Sequence, residues 1–265
     1  MNDELLPASA TTLPIPPYTM RQLVGRPDAA DFDNPTGAKV FADLPPEISI
    51  FDFGSGSGRV ARQLMQQKVL PAKYVGVDLH QGMVEWCQTN LTSIAPTFEF
   101  QHHDVENPGF NPGVDKPGVL PLPGVDQSFD LFFAHSVFTH LRESQVPHYL
   151  REARRLIKDT GVIRATWFLM DKAPFPMMQS FQNALYINEY DPTNAVLFDR
   201  GWFKSLIAEL DLIISAVTPP AIRGYHWGID LRPTGAADPV QLPVDQAPLG
   251  SHPPPVVTVD PWTVR

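Results

Sequence analysis

Phe51-Asp52-Phe53-Gly54-Ser55-Gly56-Ser57-Gly58 joins an apolar run directly to three glycines at alternate positions. The run Ile48–Phe53 reads as a buried strand. The segment Gly58–Gln67 then places Val60, Ala61, Leu64 and Met65 at helical spacing, and Pro71 stops it. A glycine-rich turn between strand and helix lets the backbone pass where a Cβ would block a small ligand or forbid the turn's dihedral angles.

Outward from this turn, β-prone runs alternate with helical segments, the pattern of a parallel sheet covered on both faces. Tyr74–Val77 is a second strand, Gly82–Leu91 a helix with Met83, Val84, Cys87 and Leu91 inward, and Thr97–His102 a third strand. Val105–Gln127 holds five prolines and four glycines and reads as a long loop before a fourth strand, Phe129–Ala134. Val146, Tyr149, Leu150, Ala153, Leu156 and Ile157 form an amphipathic stripe, with Gly161 as the expected C-cap and Val162–Phe168 as the fifth strand. Asp199 is placed to N-cap a helix running to Leu210. Leu212–Val217 and Arg223–Leu231 are expected as an antiparallel pair at one edge, giving seven strands.

Proline marks the ends: eight in residues 1–46 and eight in residues 233–265, against thirteen in all the sequence between. These two segments read as extensions flanking a domain at 47–232, since proline removes backbone donors and disfavours regular structure. The first extension carries Tyr18, Leu23, Val24, Phe32 and Phe41, and part of it is expected to fold over the glycine turn. The net charge of −9 and pI of 5.3 disfavour a nucleic-acid partner. No apolar run approaches the roughly 20 residues of a membrane span. Asp3 and Glu4 stand where a secretory signal would be basic, and the single Cys87 suits a reducing compartment, so the cytoplasm is the expected location.

Acidic residues close the next two strands, Asp78 after Tyr74–Val77 and Asp104 after His102-His103. Carboxylates at these positions face the crevice beside the glycine turn, the first able to accept ribose hydroxyls and the second the adenine amine. An adenosine is therefore expected. Asp52 discriminates between adenosine cofactors: a carboxylate here opposes a pyrophosphate and attracts the ammonium of a methionine moiety. Arg59 follows Gly58 where a dinucleotide fingerprint wants its last glycine, and no Tyr-x-x-x-Lys pair occurs. S-adenosylmethionine is favoured, with an NAD(P)-dependent oxidoreductase and a non-catalytic cofactor-binding scaffold as the alternatives.

At FDFGSGSGR, YVGVDLH, HHDV, FDLFFAHSVFTHL and RRLIKDTGVI the chain resembles the class I S-adenosylmethionine-dependent methyltransferases, over about residues 47–232. The resemblance implies a Rossmann-like three-layer αβα sandwich whose seven-stranded, mostly parallel sheet has an antiparallel last strand. It also implies cofactor contacts at Gly54, Gly56, Asp78, Leu79, Asp104, Val105 and His135, supported by Asp52 and Gly58. The motifs say little about the substrate; the favoured activity is transfer of a methyl group to oxygen or nitrogen of a small molecule, such as a saccharide or natural-product intermediate.

An acceptor hydroxyl needs a proton acceptor, and His135 and His140 flank the end of the fourth strand, so His140 is the first candidate base and His135 the second. Residues 171–200, with Phe175, Met177, Met178, Phe181, Tyr186 and Tyr190, read as a lid in which Asp171, Glu189 and Asp191 are placed to orient polar groups. No metal site is expected, because no carboxylate cluster or His-x-x-x-His spacing occurs.

Overall fold

The computed structural model describes residues 13–113, 115–188 and 190–247. The first twelve residues, Val114, Glu189 and residues 248–265, which include part of each proline-rich extension, lie outside the described residues. Strands β1 (Ser49–Phe53), β2 (Lys73–Asp78), β3 (Phe98–His102), β4 (Phe129–Ala134) and β5 (Ile157–Met170) form a parallel sheet in the order β3-β2-β1-β4-β5. Helices α2 (Arg59–Met65), α3 (Gln81–Cys87), α4 (Val146–Leu156) and α5 (Arg200–Glu209) cover it, and a short helix α1 (Tyr18–Gln22) lies in the N-terminal segment. This is the Rossmann-like αβα arrangement.

Strand alternation sorts the core. Ile50, Tyr74, Phe98 and Phe100 face α2 and α3 together with Ala61, Leu64, Val84 and Cys87. Phe51, Phe53, Val75, Val77 and Phe132 face the other way, onto Tyr149, Leu150 and Ala153 of α4. The two hydrophobic layers need helices on both sides, and α4 supplies one with the stripe read in the sequence.

The described residues hold nine strands, not seven. The two extra ones, β6 (Ala184–Tyr186) and β7 (Val196–Asp199), belong to the insert at 171–200: β7 runs parallel to the end of β5 at Phe168–Met170, and β6 pairs with β7. Strand β5 is long enough to carry them because it continues beyond its contact with β9 (Trp227–Pro233), which pairs antiparallel with Ile163–Trp167. Strand β8 (Leu212–Thr218) lies outside β9, so the expected pair forms, with the last strand inserted between β5 and β8.

Gly161 is not the cap of α4. The helix ends at Leu156, Ile157 is already extended (φ −77°, ψ 146°), and Ile157–Gly161 enters β5. The apolar Ile157 at the helix boundary pairs with Phe129 of β4, and that pairing ends the helix four residues earlier than the glycine. Asp199 does cap α5, its Oδ2 accepting from the Trp202 N–H at 3.0 Å.

Both extensions dock where they are described. Leu13, Phe32 and Phe41 are buried, whereas Tyr18 and Leu23 are exposed. Arg62 of α2, itself buried, donates to the carbonyls of Leu13, Pro14 and Phe32 and pairs with Asp33. At the other end, the Val240 N–H donates to the Ile214 carbonyl at 2.7 Å, so the tail shields the edge strand β8.

Candidate active site

The C-terminal ends of β1, β2, β3 and β4 meet along one edge of the sheet, the place where open α/β sheets bind ligands. The turn after β1 is left-handed at Gly54 (φ +87°) and Gly56 (φ +53°), which requires glycine at both. A Cβ on Gly54 would stand 2.3 Å from Val137 Cγ2, and one on Gly56 2.9 Å from Val24 Cγ1. The space beside these glycines is thus shared with the chain's own valines, one from the segment after β4 and one from the N-terminal segment. Arg59 holds that segment in place, donating to the carbonyls of Val24 and Arg26 at 3.0 and 2.8 Å. Gly58 faces away from the crevice, and a Cβ there would meet Leu91 Cδ1 at 2.7 Å, so its role is to let α3 pack against the start of α2.

Asp78 closes β2 and organises the turn. Its Oδ2 accepts from the Gly56 N–H at 2.7 Å and its Oδ1 from the His80 N–H at 2.8 Å. Burial raises its pKa, opposed by these hydrogen bonds and by His80 and His102. Leu79 follows, its carbonyl 3.0 Å from His102 Nε2. His103 turns the opposite way, to the Tyr149 hydroxyl at 3.0 Å, as neighbouring strand residues must. Val105 is buried. Asp104 stands at the end of β3 with its side chain largely open, and its Oδ1 is engaged by Lys116 at 2.7 Å and Asn111 at 3.0 Å.

Asp52 does not line the open crevice. It is 2% exposed and shares the face of Ile50, behind the glycine turn, where the Tyr74 hydroxyl donates to its Oδ2. Burial pushes its pKa up to about 7, against the Tyr74 hydrogen bond and with Asp78 adding repulsion. A carboxyl whose folded pKa lies above its unfolded value stabilises the fold most below the unfolded pKa, and that contribution is lost as pH rises through the folded one. Stability is therefore expected to fall between about pH 4 and 7, and Asp52→Asn to remove that fall. Urea unfolding at pH 5 and pH 8 reads the effect, expected on the order of 2 kcal/mol, and identical pH slopes for the two proteins would refute it.

The end of β4 gathers histidines. His135 follows the strand, and Ser136 takes a left-handed conformation (φ +59°) held by its N–H to Thr166 Oγ1 at 2.7 Å. The turn carries Ser136 Oγ to 3.4 Å from His140 Nε2 and 3.3 Å from His226 Nε2. His140 Nδ1 lies 2.9 Å from the Thr193 carbonyl, tying the 171–200 insert to this edge. The sequence reading did not single out His226. It stands just before β9, and because β9 runs antiparallel, with Trp227 opposite Trp167, its first residues arrive at the edge where β4 and β5 end. Only the direction of the last strand brings it there. Among the described residues no three His, Cys, Asp or Glu side chains converge as a metal site would need.

In the insert, Asp191 is spent on its own turn, accepting from the Thr193 N–H and hydroxyl at 3.0 and 2.7 Å, and Asp171 pairs with Arg200 at 3.3 Å. Glu189 lies outside the described residues. Met177, Phe181 and Tyr190 are more than three-quarters exposed, so they are not core.

This crevice fits an adenosine bearing a positive charge. One carboxylate, Asp78, stands at the glycine turn with no ion-pair partner among the described residues, and the buried Ser57 hydroxyl of the turn has no hydrogen-bond partner there. Residues 50–161 match the methyltransferase-domain family. Over these residues the chain carries a methyltransferase domain of the S-adenosylmethionine-dependent class I type. Its methyl donor is S-adenosylmethionine, which sets the nicotinamide alternative aside.

The chain is similar to two solved structures. The 1,6-didemethyltoxoflavin-N1-methyltransferase of Burkholderia thailandensis, with bound 1,6-didemethyltoxoflavin and S-adenosylhomocysteine, is 18% identical, with a TM-score of 0.50, over 77% of this chain and 79% of that one. An S-adenosylmethionine-dependent methyltransferase of Mesorhizobium loti is 15% identical, with a TM-score of 0.48, over 71% of this chain and 93% of that one. Among the described residues of this methyltransferase no helix is long and apolar enough to cross a membrane.

Proposed function

We propose that this methyltransferase acts on an oxygen or nitrogen of a small organic molecule, held between the histidine-lined end of β4 and the insert at 171–200. One observation carries the reading: His135, Ser136, His140 and His226 meet at the end of β4, next to Val137, which lies against Gly54 of the glycine turn. S-adenosylmethionine brings a methyl group already activated by its sulfonium, so the protein's task is alignment and exclusion of water.

In this reading Gly54, Gly56, Asp78, Leu79, Val105 and His135 border the cofactor, and Asp104 offers the Oδ2 that Lys116 and Asn111 leave open. Asp52 and Gly58 act from behind the turn, by charge and by packing. Burial lowers the pKa of His135 and His226, so these two supply uncharged polar groups to an acceptor. The Burkholderia protein, which shares the fold, also holds a small molecule beside S-adenosylhomocysteine.

Calorimetry with S-adenosylhomocysteine and with NADH tests the cofactor, and transfer of labelled methyl groups to a panel of hydroxyl and amine compounds tests the reaction. Binding of S-adenosylhomocysteine alone, with turnover on panel members, is expected. Tight cofactor binding with no transfer to any small molecule would favour a scaffold instead.

A further inference from the structure

The proton inventory of the histidine cluster follows from one fixed point. The Thr193 carbonyl can only accept, so His140 Nδ1, 2.9 Å away, carries the hydrogen. Its Nε2 then faces the Ser136 hydroxyl, which donates to it across 3.4 Å. With its hydrogen committed, Ser136 Oγ accepts from the buried Thr139 hydroxyl across 3.4 Å and from His226 Nε2–H across 3.3 Å. His226 is thereby left with a bare Nδ1, and no described residue donates to it. The ring is half-buried, with Phe168 at 4.6 Å and His135 at 5.6 Å between ring centroids.

We propose that His226, not His140, is the catalytic base of this methyltransferase, and that the acceptor presents a hydroxyl. This rests on the small-molecule reading above and deepens it. Ser136 and His140 are positioning residues that fix the tautomer of His226, and the insert sets the tautomer of His140 through Thr193. Hydroxyl is favoured over amine because an amine lone pair attacks an activated methyl unaided, whereas a hydroxyl gains from losing its proton. In the step, the acceptor oxygen bonds to the methyl carbon as the carbon–sulfur bond breaks toward sulfur. The hydroxyl proton passes to His226 Nδ1, so the positive charge moves from sulfonium to imidazolium. Burial, then the neighbouring His135 and His140, lower the His226 pKa to about 4, so the ring is uncharged at neutral pH and its Nδ1 lone pair is open.

The test is long-range proton–nitrogen spectroscopy on the full chain labelled with [15N]histidine, assigned with His226→Gln and His140→Gln. His140 is expected as the Nδ1–H tautomer and His226 as the Nε2–H tautomer, with Ser136→Ala turning His226 into a mixture. Phenol, added in the presence of S-adenosylhomocysteine, is expected to shift His226 Nδ1 and leave both His140 nitrogens in place. An Nδ1–H tautomer at His226, or a phenol response confined to His140 or missing from both rings, would overturn the assignment. Calorimetry of S-adenosylhomocysteine on the same sample keeps the two readings apart: a loss of cofactor binding would overturn the functional reading while the tautomers remain measurable without it.

Discussion

Replacing Asp78 by alanine is expected to weaken S-adenosylhomocysteine binding by about 1.5–3 kcal/mol, roughly 10- to 150-fold in Kd. The side chain does two things at once. Its two oxygens collect the N–H groups of Gly56 and His80, which sets the glycine turn, and it places a negative charge at the end of β2. Alanine removes the charge and leaves both donors without their acceptor. Stability is a poorer readout than binding, because the buried carboxylate also carries a desolvation cost that the substitution relieves. Asp78→Asn keeps an acceptor for one of the donors and should lose less. Asp104→Ala should also lose less, since that carboxylate is open to solvent and already paired with Lys116. An unchanged Kd for Asp78→Ala by calorimetry would remove Asp78 from the cofactor site. Gly56→Val is a poor substitute for this test: at φ +53° a β-branched residue is strained whatever ligand is present.

The second large effect is expected at Arg62. Its guanidinium is 2% exposed and carries the carbonyls of Leu13, Pro14 and Phe32 together with Asp33. Arg62→Met preserves the aliphatic stem but deprives three carbonyls and a carboxylate of their donor, a loss of about 3–5 kcal/mol. The consequence should be local first. The segment from Leu13 to Asp33 is anchored to α2 chiefly through this side chain, Arg59 and the Gln63 and Gln66 amides, so its release precedes unfolding of the sheet. Limited proteolysis should cut within residues 13–46 faster than in the parent, while urea unfolding reports the loss in stability. Equal cleavage rates for parent and variant would show that Arg62 does not hold the segment. Because Val24 lies over Gly56, the same variant should also change cofactor affinity.

Periodicity determined most of the sheet by itself. Residues that must be buried on both faces of a parallel strand form continuous apolar runs, and a helix packed on one side repeats every three to four residues, so β1 to β5, α2 to α4 and the glycine turn were legible locally. The acidic strand ends Asp78 and Asp104 could be read for the same reason, since a strand's last residue lies at the sheet edge wherever the strand sits. Tertiary structure decided what depends on neighbours distant in sequence. Pairing of Ile157 with Phe129, not Gly161, ended α4, and the overhang of β5 recruited β6 and β7. Which face Asp52 takes, and that Tyr74 meets it there, depend on the register between β1 and β2. His226 joins His135 and His140 because the last strand runs against the others. Local sequence encodes which element forms and which side of it is apolar, whereas the direction and register of a strand are set by the energy of pairing with segments far along the chain.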